Sequence, residues 1–199
     1  MLVKTEVVMK KGFTIVEVLI LFVIFLIVAF LVAPLSLDDT IQARNASRWR
    51  SVQQELDNIF YSIKNQNTSE DSLGLAFEKY LASEIKNEIK SYRIIFMNGT
   101  FPNKAFRFAN YKETLSNAVI AYKFFDMPHE DILGIIMYDV NGKKKPNVWG
   151  KDVFGLNVYK DKFEPFGKSE TIDFQKEDCS KSGTGLSCSN YYLIGGSFD

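Results

Sequence analysis

The chain of 199 residues is poor in the residues that build most metal centres and nucleophilic sites. It has two cysteines and one histidine. Any triad that uses an imidazole must use His129, which sits in the turn-like Pro128-His129-Glu130-Asp131. No serine occupies a nucleophile elbow. Gly167-Lys168-Ser169 looks like the end of a phosphate loop, but the motif's first glycine would fall at Lys162. Catalysis is therefore not expected. Net charge is also lacking: 24 basic residues balance 24 acidic ones, so no strong nucleic-acid footprint is expected and no specific nucleic-acid partner is evident. Internal repeats and low-complexity linkers are absent too.

The last absence is local. From Val18 to Leu37 no side chain is charged. A helix needs about 20 such residues to cross a bilayer core of about 30 Å. Phe13 to Leu37 suffices with some tilt, and backbone groups in lipid must pair within the segment, which makes it helical. Lys4, Lys10 and Lys11 precede the run, so its N-terminal side faces the cytoplasm and the rest faces outward. An ordinary secretory signal has a shorter apolar stretch that ends in its cleavage site. Met1 and Met9 are both available starts.

Glu17 breaks the apolar pattern. A carboxylate there either snorkels to the headgroups or marks a functional site. Its neighbours favour the second reading. Lys10-Lys11-Gly12 followed by Phe13-Thr14-Ile15-Val16-Glu17-Val18-Leu19 resembles the N-terminal signal of type IV pilins and type II secretion pseudopilins. The resemblance covers residues 10–37 closely and the remainder only in layout. It implies cleavage after Gly12 by a prepilin peptidase, N-methylation of the new terminus Phe13, an assembly role for Glu17 and a helix kink at Pro34. It also implies an inner-membrane assembly platform with its ATPase, and a homo- or hetero-polymer of pilin-like subunits. The protein would wait as a single-pass protein of the bacterial inner membrane and then enter an extracytoplasmic fibre. Cleavage leaves an ammonium on Phe13. In a packed bundle this amine of one subunit can pair with Glu17 of its neighbour, which sets axial register more than it adds stability.

The expected fold is α+β: a long N-terminal helix packed on an antiparallel sheet of four or five strands. The expected divisions are a leader at 1–12, a transmembrane or fibre-core helix at 13–37, an amphipathic continuation at 38–66 and a globular head at 67–199. Trp49, Val52, Leu56, Ile59, Phe60 and Ile63 recur on one helical face. A second helix is expected from Ser72 to Lys90 on the stripe Leu73, Phe77, Tyr80, Leu81, Ile85 and Ile89. Strands are expected at 92–97, 106–109, 118–125, 132–140, 153–159 and 191–194. Asn141-Gly142 is read as a hairpin turn, with further turns at Asn98-Gly99 and Pro146-Asn147.

Two sites remain. Cys179 and Cys188 lie on the oxidising side and enclose a flexible, Ser- and Gly-rich loop, which argues for a bridge. Type IV pilins often carry such a loop, and many pseudopilins lack it. Asp139, Asn141, Asn147 and Asp152 offer oxygen ligands for calcium, the one cofactor the residues suggest, as major pseudopilins often hold calcium near the C-terminus. Against it, Lys143 stands where an EF-hand needs an oxygen, no late Glu follows, and several lysines crowd the loop. A side-chain-braced hairpin turn is preferred there. The expected function is a structural fibre subunit, not an enzyme. The alternatives are a type II secretion pseudopilin, or a membrane-anchored extracytoplasmic enzyme or binding protein that never polymerises.

Overall fold

The computed structural model describes residues 14–65, 73–129 and 131–197, with the side chains of 32–39, 73–75, 105 and 126–129 outside the description. Gly12 and Phe13 lie outside the described residues. Pro34 falls within a helix, but its side chain is not described. The chain divides into two units, Met1–Thr40 and Ile41–Asp199.

Helix α1, Ile15–Asn65, runs from the first unit into the second. In the first unit its apolar side chains are bare: every large one from Ile15 to Leu31 is exposed, from 47 % at Val23 to 82 % at Phe30. Among the described residues no helix is long and apolar enough to cross a membrane. The described apolar side chains from Ile15 to Leu31 cover about 25 Å of axis at ~1.5 Å per residue, short of the span expected over 13–37.

In the second unit α1 obeys a different solvent. The stripe Trp49, Leu56, Ile59, Phe60 and Ile63 is buried, as its spacing predicts. Trp49 stacks on Phe154, ring centroids 5.0 Å apart, and its indole N–H donates to the Ser189 carbonyl at 2.7 Å. The guanidinium of Arg50 donates twice to the Tyr192 carbonyl, and Asn45 donates to the Lys151 carbonyl. The helix is therefore pinned to the C-terminal segment as well as to the sheet.

The sheet is a six-stranded antiparallel meander: β1 Ile85–Ile89, β2 Tyr111–Thr114, β3 Val119–His129, β4 Ile132–Asp139, β5 Val153–Val158 and β6 Phe163–Pro165, paired in sequence order. Side chains alternate between its faces. Ile120, Ile136, Phe154 and Leu156 join the cluster built on α1 and on Phe77 and Leu81 of α2, Leu73–Ala82. Val119, Ala121, Ile135, Met137 and Val153 join a second cluster with Ile94, Phe96, Phe108, Trp149 and Phe166. The sheet is thus covered on both faces.

That second cover accounts for several differences from the sequence reading. The aromatic segments at 92–97 and 106–109 are not strands; apart from an isolated bridge at Ile95 and a 3-10 turn at Lys104–Phe106 they are irregular chain whose side chains cap the sheet. The second helix stops at Ala82, and residues 85–89 form edge strand β1. Ile85 and Ile89, four apart, share a face of a strand as well as of a helix, so their spacing could not separate the two. The segment 191–194 is not a strand either. It follows from two short helices, α3 Ile172–Asp178 and α4 Cys188–Tyr191, and continues the second of them. Neither helix is expected from the sequence, although Thr171 caps α3 by accepting from the Phe174 N–H. His129 ends β3 close to Asp131, which takes a positive φ of 63°.

Replacing Trp49 by Ala should cost about 3–5 kcal/mol, since it empties a fully buried site and strips the Ser189 carbonyl of its donor. Guanidinium unfolding of wild type and Trp49→Ala measures this; a loss below about 1 kcal/mol would mean that α1 is not anchored through this residue.

Candidate functional sites

The helix start comes first. The backbone N–H and hydroxyl of Thr14 both donate to Oε2 of Glu17, at 2.8 and 2.9 Å, and the Glu17 N–H approaches the Thr14 hydroxyl at 3.3 Å. This is a reciprocal capping box: Thr-Ile-Val-Glu satisfies donors that the first helical turn leaves without partners. The Thr-x-x-Glu spacing is legible in the sequence, but the charge of Glu17 draws attention away from it. In the single chain, Glu17 therefore has an intramolecular partner. Any charge contact with another subunit adds to that role or displaces it.

The loop between β4 and β5 gathers the four candidate calcium ligands. Asn141-Gly142 does not close a two-residue hairpin; it opens a connection spanning 140–152. Gly142 has φ +71°, and a Cβ there would lie 1.9 Å from the Asn117 carbonyl oxygen, so no other residue fits without backbone movement. Asp139 is fully buried, and its Oδ1 accepts from the N–H groups of Asn141 and Gly142 at 2.9 and 2.8 Å. Asp152 Oδ1 accepts from the Val148 N–H, and its Oδ2 accepts from the Asn147 N–H and the Asn141 side-chain amide. The side-chain bracing expected here is present, but in a long connection rather than a tight hairpin turn.

The set does not suit calcium. A calcium ion takes six to eight oxygens, yet each carboxylate oxygen here already meets a hydrogen-bonding group of the protein. The amide oxygens of Asn141 and Asn147 are buried without a hydrogen-bond partner. Those two neutral oxygens alone cannot replace the carboxylates. Among the described residues no three acidic, histidine or cysteine side chains cluster as a metal site. Calcium at millimolar concentration should leave the melting temperature unchanged; a rise of several degrees over the value in chelator would show that the loop opens to take the ion.

Tyr92 completes the loop. Its hydroxyl oxygen lies 2.5 Å from Asp139 Oδ2 and 2.9 Å from the Gly142 carbonyl. One hydroxyl proton serves only one acceptor. A proton on Asp139 satisfies both contacts: the carboxyl donates to Tyr92, and Tyr92 donates to Gly142. Burial first, and the neighbouring Asp152 second, push the Asp139 carboxyl from 3.8 up to about 8. Burial raises Asp152 as well, and Tyr92 moves upward for want of solvent and because of Asp139. The carboxyl's folded value lies above its unfolded one, so its contribution to stability is complete below about pH 4 and fades as pH rises through about 8. The unfolding free energy should therefore fall by a few kcal/mol between pH 4 and 9, since each tenfold change in a group's acidity on folding is worth about 1.4 kcal/mol. Asp139→Asn keeps the shape and flattens the decline; a wild-type curve already flat would show that Asp139 is ionised throughout.

The cysteines are joined, Cys179 to Cys188, with Cα atoms 5.3 Å apart. The enclosed loop is not the flexible segment its composition suggests. Asp178 Oδ1 accepts from the Thr184 N–H and hydroxyl, each at 2.7 Å, and its Oδ2 accepts from the Ser187 N–H. The N–H groups of Met97 and Asn98 donate to the carbonyls of Thr184 and Gly183. Gly185, with φ +82°, passes so close to Trp149 that a Cβ would lie 2.2 Å from its carbonyl oxygen. Searched against protein-family models, curated proteins and solved structures, the chain matches none.

Proposed function

We propose that this chain is a structural subunit of a type IV pilus or pilus-like fibre, made as a preprotein, cut after Gly12 and methylated on Phe13. The observation that carries the reading is the bare apolar helix from Ile15 to Leu31. At about 25 cal/mol per Å2 of apolar surface, a helix exposed all round is strongly unfavourable in water. It needs lipid, or other copies of itself, and the preceding signal names a route from one to the other. Between helices in lipid the hydrophobic drive is weak, so close packing and polar contacts would guide entry into a fibre. The braced disulfide loop Cys179–Cys188 favours a pilin over a secretion pseudopilin. The mechanism is non-enzymatic: the apolar helices move from the membrane into a shared core, and the α+β heads coat it. A membrane anchor that never polymerises is the competing reading.

The capping box makes the test sharper. Glu17→Gln keeps an acceptor for the Thr14 N–H and hydroxyl and removes the charge, whereas Glu17→Ala removes both. If Glu17 pairs with the Phe13 amine of a neighbour, both variants should insert and be cut normally, yet yield at least tenfold less sheared fibre, because one partner of a buried pair is lost. Fibre lost with Ala but retained with Gln would reduce Glu17 to a helix cap. A membrane-extracted protein whose mass retains residues 1–12 would overturn the pilin reading itself.

A further inference from the structure

Before β2, the chain folds into an open cleft of about 370 Å3 between residues 90–94 and 101–111. Three cations line it, Lys90, Arg93 and Arg107, with the rings of Tyr92, Phe101 and Tyr111. No Asp or Glu is among the described residues that line it. The Arg93 guanidinium lies over the Phe101 ring at 4.5 Å from its centroid, and Phe101 is still 53 % exposed. Arg107 Nε is held by the Pro102 carbonyl at 3.1 Å, which fixes the direction of its side chain. No ion pair with a described acid occupies Lys90, Arg93 or Arg107.

A lysine-bearing loop is bonded to the cleft segment. Asn147 Nδ2 donates to the Arg93 carbonyl, the Ile95 N–H donates to the Asn147 carbonyl, and the Trp149 N–H donates to the Ile95 carbonyl. These bonds stitch the lysine-bearing loop alongside the cleft segment, with Lys144 and Lys145 exposed a few residues from Asn147. Lys143 is engaged by Glu113 at 2.6 Å. In a chain of zero net charge, Lys90, Arg93 and Arg107 thus form a cationic strip along the cleft, with no acid among its described lining residues.

We propose that this cleft binds single-stranded nucleic acid, with a base stacked on Phe101 and its phosphates on Arg93, Arg107 and the lysines. A cationic groove with rings that take bases face-on is how single strands are held without sequence preference, and a guanidinium already seated on the ring adds a cation–π contribution. The donor set discriminates between ligand classes. Besides the cations, Ser91 and the Tyr hydroxyls are the only polar side chains among the described residues that line the cleft, and that of Tyr92 is engaged by Asp139 and Gly142. A sugar ring needs acceptors for its hydroxyls, normally carboxylates or amides, and the lining lacks them; a nucleotide brings acceptors of its own. The inference rests on the head domain alone and does not depend on the fibre reading.

The test is fluorescence anisotropy of a labelled 15-nucleotide oligo-dT with the full chain in detergent micelles. Wild type should bind, and affinity should fall about twentyfold between 50 and 200 mM salt, as release of counterions from about three phosphates implies. Phe101→Ala should weaken binding about fivefold or more, and Arg93→Glu with Arg107→Glu should abolish it. All three side chains line the open cleft, and an unchanged melting temperature certifies the fold of each variant. The proposal is overturned if wild type does not bind at 50 mM salt, or if neither change weakens binding. It is equally overturned if Phe101→Ala is silent while heparin competes as well as oligo-dT, which would make the strip a charge-only surface for acidic polysaccharide.

Discussion

One helix in this protein carries side chains suited to two different surroundings. From Ile15 to Leu31 its large apolar side chains are bare on all sides; from Trp49 to Ile63 only one stripe is apolar, and that stripe is buried. The first part needs a cover that the described residues do not provide for it. The second part has its cover in the sheet and the C-terminal segment, through the stacking of Trp49 on Phe154 and the bonds from Trp49 and Arg50 to the last helical turns. Without that docking, one face of the six-stranded meander would lose its main lid.

The opposite face is covered in another way. Its lid is not a regular element but irregular chain rich in Phe, Tyr and Trp, including Phe96, Phe106, Phe108, Trp149 and Phe166. Such chain must still pair its backbone groups. The bonds from 95 to 147 and 149, and from 97 and 98 to 183 and 184, do this by tying three loops together. The disulfide and Asp178 hold the third loop from within. Rigidity in the head therefore comes largely from loops locked to one another, with glycines at 142 and 185 where backbones meet too closely for a side chain.

Two buried carboxyls stand inside this cover. Asp152 accepts from the Val148 and Asn147 N–H groups and the Asn141 amide, Asp139 accepts from the Asn141 and Gly142 N–H groups and contacts the Tyr92 hydroxyl, and burial raises the pKa of both. Tyr92, whose hydroxyl contacts Asp139, also lines the cationic cleft, and Asn147 of the loop from 140 to 152 donates to the Arg93 carbonyl beside it.

The sequence by itself determined the long helix, its change from all-apolar to one-sided, the pairing of the two cysteines and the strands β3, β4 and β5, because each depends on periodicity or composition within a short window. The Thr14–Glu17 box is equally local, and it escapes notice only where the glutamate is weighed for its charge and not for its spacing. What tertiary structure decided is of another kind. Ile85 and Ile89 fit a helix or a strand until β2 offers a partner. The aromatics between 92 and 109 have strand propensity, yet they serve as a lid because the sheet's second face must be buried. The gathering of Lys90, Arg93 and Arg107 beside the lysine-bearing loop, in a chain of zero net charge, depends on contacts between residues about fifty positions apart. Periodicity carries no information across such a distance, and only the folded packing supplies it.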